Sequence, residues 1–155
     1  MLTALKSSGM VPERVTIVVG TDFNLTEPAG LQLLRRGGVR LLRFSGKQTF
    51  HPKVYLFETY DGYELLLGSA NLSRSAFFLN IEAVMRLIFA RRSDVAADVL
   101  ALLKGLKRRS VPWTAKSIDR YEKNWHQARP IQARGDKTVS AYLRDREIYK
   151  PLPAN

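Results

Sequence analysis

Val15-Thr16-Ile17-Val18-Val19 is an unbroken β-branched run. Such residues are stiff at χ1 and favour extended backbone, and a run with no polar face reads as a strand buried on both sides. Gly20-Thr21-Asp22 ends it. Pro28 to Arg36 then reads as a helix, with Leu31, Leu33 and Leu34 apolar and Gly37-Gly38 closing it. Val39-Arg40-Leu41-Leu42-Arg43-Phe44 is a second strand. Strand, helix and strand within about 30 residues predict a βαβ unit with a parallel pair and a right-handed crossover. The class this implies is α/β, with a mixed, largely parallel central sheet flanked by helices.

Further along, His51 to Phe57 has strand alternation, with Lys53, Tyr55 and Phe57 on one face and Val54 and Leu56 on the other. Asp61-Gly62 is a hairpin-type turn, and Tyr63 to Leu67 returns from it. Ser73 to Phe78 predicts a short helix or turn, and Ile81 to Phe89 another strand. Ser93 is placed to cap a helix from Asp94 to about Lys107, with Val95, Val99, Leu102, Leu103 and Leu106 as its apolar stripe. A last helical turn is expected at Met1 to Ser8. After Arg109 the chain turns polar and basic, punctuated by Pro112, Pro130, Pro151 and Pro153. This divides it into a domain over 1–109 and a tail or linker over 110–155, with one short helix from Ser117 to His126.

Three short stretches carry candidate chemistry: His51-Pro52-Lys53, Gly68-Ser69-Ala70-Asn71 and Asn80-Ile81-Glu82. His51 and Lys53 are two apart on a strand and share a face. A neutral imidazole is a competent nucleophile, and a neighbouring ammonium offsets phosphate charge. Alone, such a pair is equally an ordinary basic strand surface. Ser69 and Asn71 share a face if their strand continues, and offer a hydroxyl and an amide to phosphate oxygens. Gly68 permits close approach of another group to the backbone. Alone, that stretch is equally a polar turn. Glu82 opens an apolar strand, where a carboxylate calls for a partner. It could hold the second ring nitrogen of a histidine, or face solvent.

Taken together, these residues resemble the phospholipase D superfamily. Its pattern of H-x-K-x4-D, then G-S-x-N, then a downstream acid is matched by His51 and Lys53, by Glu58 at the aspartate's place, by Gly68, Ser69 and Asn71, and by Glu82. The segment from Val15 to Phe89 follows the family's strand and helix order. The resemblance implies that His51 attacks phosphorus to form a phosphohistidine. Lys53, Ser69 and Asn71 would bind phosphate, Glu82 would orient His51, and Glu58 and Gly68 would support the site. It implies no metal and no other cofactor. It also implies a second histidine to protonate the leaving oxygen, normally from a second copy of the motif. His126 lies in no such motif. A homodimer, or the remainder of a longer chain, is therefore expected. The family's opening strand has no counterpart before the first helix, so the chain reads as a piece of a longer enzyme or as a short form.

Charge narrows the substrate. The 155 residues carry a net charge of +11. Residues 1–90 hold 10 Lys/Arg against 7 Asp/Glu, whereas 91–155 hold 15 against 7. That balance favours a polyanion, nucleic acid before an acidic membrane. No cysteine is present, which removes disulfides and thiolate chemistry. No apolar run reaches the roughly 20 residues of a membrane span, and Met1 to Lys6 lacks a signal-peptide core, so a cytoplasmic protein is expected. The reading these points favour is a metal-independent phosphodiesterase, most simply a DNA endonuclease. A phosphatidyl hydrolase or transferase acting on lipid is one alternative. A non-catalytic nucleic-acid-binding domain is the other.

Overall fold

The computed structural model describes residues 11–128. Among them, strands and helices follow in the order β1 (Thr16–Val19), α1 (Pro28–Arg36), β2 (Arg40–Phe44), β3 (Val54–Glu58), β4 (Gly62–Gly68), α2 (Arg74–Phe78), β5 (Val84–Ala90), α3 (Asp94–Arg108), β6 (Ser110–Pro112) and α4 (115–128). The class is α/β. The helix expected at Met1 to Ser8, and the tail prolines Pro130, Pro151 and Pro153, lie outside the described residues.

Among the described residues, the expected single, largely parallel sheet is replaced by two sheets of three strands, ordered β1-β2-β6 and β3-β4-β5. The first is mixed. The Arg40 N–H donates to the Val15 C=O, so β1 and β2 start side by side and run parallel. Ser45 donates to Arg109 and Trp113 to Leu41, so β6 descends as β2 climbs. The second sheet is antiparallel throughout: Val54 pairs with Leu67 and Glu58 with Tyr63, while Gly62 pairs with Ala90 and Gly68 with Val84. The short Asp61-Gly62 turn is the reason for the β3–β4 pairing. A parallel partner for β3 would need a crossover of a dozen residues or more.

By contact the chain divides into two compact units. In the first, formed by 11–17, 21–41 and 112–128 of the described residues, α1 starts on Pro28, where a missing N–H is harmless. Leu31 and Leu34 are buried, but Leu33, expected beside them, is 52% exposed. Gly38 has φ of 86°, and a Cβ there would come within 2.7 Å of Glu13 Oε1. The stretch expected as a polar tail supplies much of this core. Trp113, Ile118, Tyr121 and Trp125 are all buried. The Trp113 and Tyr121 rings stand 5.5 Å apart. The Tyr121 hydroxyl donates to the Thr26 carbonyl and Trp125 Nε1 to the Asn24 carbonyl, both at 2.8 Å. Helix α4 is accordingly longer than the Ser117–His126 expectation.

In the second unit, 18–20 and 42–111, Leu65 at the centre of β4 is 2% exposed, and Leu42, Phe44, Ala70, Ala76 and Ala96 are also buried. Ser93 caps α3, its Oγ accepting from the Ala96 N–H at 3.2 Å. Ala96 is buried and Val99, Leu103 and Leu106 are half-buried, whereas Val95 and Leu102 from the expected stripe are 45% and 50% exposed.

Ile118 is 1% exposed, so Ile118→Ala should cost about 2–5 kcal/mol of stability through lost burial and a residual cavity. Urea unfolding of the full chain checks this. A loss below about 1 kcal/mol would mean that α4 does not hold the core.

Candidate active site

The antiparallel meander determines which residues can meet. Because β3, β4 and β5 alternate in direction, the start of β3, the end of β4 and the start of β5 lie at one edge of the sheet. Those three ends deliver 51–53, 68–71 and 80–82. The sequence placed His51, Lys53 and Glu82 on strands; they lie in the lead-ins, one to three residues ahead of the ladders. Pairing continues past the ladder ends. The Gly68 N–H donates to the Lys53 carbonyl at 3.4 Å, and the Ser69 N–H to the Ala83 carbonyl at 3.0 Å.

Two aromatic anchors position the segments. Phe50, just before His51, stacks on Phe44 with ring centroids 4.8 Å apart. Tyr55 follows Lys53 on the same side of the pleat, and its hydroxyl donates to the Ala70 carbonyl at 2.8 Å. This ties the strand after His51-Lys53 to the Ser69-Asn71 turn. Burial raises the Tyr55 pKa, and the nearby Glu82 charge adds to the effect. Gly68 is required where it stands: a Cβ there would lie 2.1 Å from the Ala83 carbonyl oxygen.

The side chains group as follows. Lys53 Nζ lies 2.6 Å from His51 Nδ1, 2.9 Å from Nε2 and 3.1 Å from the His51 carbonyl. The ammonium thus faces both ring nitrogens, and which of them accepts depends on the tautomer. Ser69 Oγ donates to Glu82 Oε2 at 2.5 Å and accepts from the Ala83 N–H at 3.0 Å. Asn80 Nδ2 donates to the other carboxylate oxygen at 3.1 Å. The Ser69 hydroxyl, then the Asn80 amide, hold the Glu82 carboxyl below the ordinary carboxylate range, with the Lys53 charge contributing in the same direction against some desolvation. His51, Ser69 and Asn71 are exposed, while Lys53 and Glu82 are half-buried.

This arrangement differs from the sequence expectation at three points. Glu82 was expected to orient His51, yet its oxygens are held by Ser69 and Asn80, while Lys53 faces the His51 ring. Ser69 was expected to donate to phosphate, yet its one proton goes to the carboxylate, the stronger acceptor. Glu58 is at the far end of β3, where it pairs with Arg91, whose other nitrogen donates to the Thr59 carbonyl at 2.5 Å and whose guanidinium lies over the Tyr63 ring. Glu58 therefore clasps the hairpin and does not enter the site. Asn71 follows buried Ala70 in the turn, and its side chain has no hydrogen-bond partner among the described residues.

The sequence reading assigns no role to Asn80 or Tyr55, which the structure brings to the site. Both were in view: Asn80 stands two residues before Glu82, and Tyr55 two after Lys53, the spacing that puts extended residues on one face. Among the described residues no three His, Asp or Glu side chains gather as a metal would require, and no helix is long and apolar enough to cross a membrane. Comparison with protein families and with curated proteins finds no match.

Ser69→Ala should raise the Glu82 pKa toward the ordinary carboxylate value, because it removes the main stabiliser of the ionised form. The native bonds to ionised Glu82 contribute above the unfolded carboxylate value and fade as pH falls through the lowered one. A carboxyl-carbon NMR titration of both proteins measures this. An unmoved Glu82 titration in Ser69→Ala would contradict the pairing.

Proposed function

We propose that this chain is a phospholipase D-like phosphodiesterase that cleaves nucleic acid, DNA foremost, through a phosphohistidine and without a metal or other cofactor. The observation that carries the reading is the convergence of His51, Lys53, Ser69 and Glu82 at one edge of the β3-β4-β5 sheet. An imidazole, an ammonium, a hydroxyl and a carboxylate there form a set suited to phosphoryl transfer.

In the proposed first step, the Lys53 ammonium turns from the imidazole to the non-bridging oxygens of the substrate, which its flexible stem permits. This frees the His51 lone pair. His51 attacks phosphorus, an N–P bond forms, and the bond to the leaving oxygen breaks as that oxygen takes a proton from a general acid. Water then attacks phosphorus and cleaves the N–P bond. The Asn71 amide and the Ser69 hydroxyl, once turned from Glu82, bind the phosphate oxygens. Glu82, relieved of Ser69, is then free to accept from the imidazole and hold its orientation.

The general acid is assigned to His51 of a second copy, in a twofold assembly around one phosphate. The segment leading from Asn71 to Glu82 supports this. It exposes Leu72, Phe77, Phe78, Leu79 and Ile81, with Phe78 and Leu79 each 78% exposed and Ile81 fully so. Val84, Met85 and Ile88 on edge strand β5 extend the exposed apolar surface. An apolar surface of this kind beside a polar site suits a protein interface. The same surface favours a second reading, in which it rests on a lipid interface and the substrate is a phosphatidyl ester.

In EDTA, the purified chain should nick plasmid or degrade single-stranded DNA, and His51→Ala should lose at least about a thousandfold in rate while keeping its fold. Restoration of an EDTA-silenced activity by magnesium, or full activity in His51→Ala, would contradict the mechanism. Cleavage of phosphatidylcholine vesicles but not of DNA would establish the lipid reading.

Sedimentation at micromolar concentration should show a dimer, and mixing wild-type with His51→Ala chains should yield inactive hybrids. A monomer whose cleavage rate is linear in protein concentration would contradict the shared site.

A further inference from the structure

Helix α4 has two faces of opposite character. Ile118, Tyr121 and Trp125 are buried on one. Lys116, Arg120 and Lys123 are exposed and, at about 100° per residue, fall within roughly 60° of arc on the other. None of the three has a hydrogen bond or ion pair to a described residue. Glu122 is turned away from them: it is half-buried and accepts from Gln32 Nε2 at 3.0 Å.

The stripe has neighbours in the same unit. A shallow groove is lined by Ala115, Lys116, Asp119, Arg120 and Lys123. The adjoining hollow shares Ala115 and Asp119 and is completed by Gln32, Arg35, Arg36 and Ile118. Arg35 and Arg36, in the last turn of α1, are exposed. Five cations and one exposed carboxylate, Asp119, therefore line the groove and the hollow together.

We propose that this stripe docks the phosphate backbone of nucleic acid, using residues other than the catalytic ones. The inference rests on the nucleic-acid reading above and specifies where the chain outside the scissile phosphate is held. The argument is charge complementarity: three exposed cations lie along one helix face, Lys116 and Lys123 being seven residues at about 1.5 Å rise, or roughly 10 Å, apart. The buried aromatic face fixes the helix, so the three cations are presented by a rigid element. Lys and Arg at surface positions reach phosphates without reading base sequence, so this contact adds affinity and salt dependence and no sequence preference.

Removing the whole segment would strip Trp113, Ile118, Tyr121 and Trp125 from the core, so the test uses surface substitutions in the full chain. Binding of a labelled duplex is measured across a salt series for the wild type, for the triple variant Lys116→Gln/Arg120→Gln/Lys123→Gln, and for Asp119→Asn. The log–log salt slope of the triple variant should be shallower by about 2 to 3, since each lost phosphate contact removes about 0.9, and affinity should fall about tenfold or more. Asp119→Asn should bind more tightly, an outcome that misfolding could not produce. A wild-type chain that binds DNA while both variants match it in slope and affinity would overturn the proposal. So would a wild type that binds no DNA, whether or not it binds phosphatidylserine vesicles through the stripe. Stripe-dependent DNA binding without any cleavage would uphold the proposal and refute the phosphodiesterase reading.

Discussion

The register of β4 with its two neighbours is the constraint on which the candidate site depends. Val54 opposite Leu67 and Gly68 opposite Val84 leave no freedom over which chain segments meet at that edge of the sheet. A shift of one residue in either pairing would turn Tyr55 away from the Ala70 carbonyl or separate the Ser69 hydroxyl from Glu82. Each pairing is reinforced at its end. Tyr55 bonds across from β3, and Ser69 exchanges backbone and hydroxyl contacts with Ala83. Gly68 permits this closeness, because any side chain there would collide with the β5 backbone.

The two units solve the problem of burial differently. The first encloses large side chains, two tryptophans and a tyrosine among them, and satisfies the Tyr121 hydroxyl and the Trp125 indole N–H with backbone carbonyls. The second buries chiefly Leu65, Leu42, Phe44 and small alanines, and leaves the outer side of α3 and much of β5 uncovered. Edge strands that are apolar on both faces are a liability unless something covers them. Under the proposed function, the covering surface is a second copy of the chain, and the exposed site residues become enclosed with it.

Much of this was legible in the sequence because it depends on local periodicity. The βαβ order from Val15 to Phe44, the Asp61-Gly62 turn and the Ser93 cap each rest on a few adjacent residues, and they appear within a residue or two of where the pattern puts them. What was not legible depends on distant partners. Strand patterns alone do not say whether β3-β4-β5 joins β1-β2 or forms its own sheet. The helix over Ser117 to His126 was legible, but its place in the core was not, because its buried residues alternate with Lys116, Arg120 and Lys123 and nearby prolines suggested a tail. The hydroxyl–carboxylate pair of Ser69 and Glu82 was not legible either, since it depends on the β4–β5 register, which no local pattern gives.

The central claim is that His51 is the group that attacks phosphorus. The most direct measurement is to quench the wild-type chain in denaturant during turnover of a short DNA phosphodiester and to map covalent adducts by mass spectrometry under alkaline conditions, where phosphoramidates survive. The account predicts a nucleotidyl adduct on the peptide containing His51, which appears and decays with the reaction. Cleavage that proceeds with no adduct at His51, or with the adduct on another residue, would contradict it.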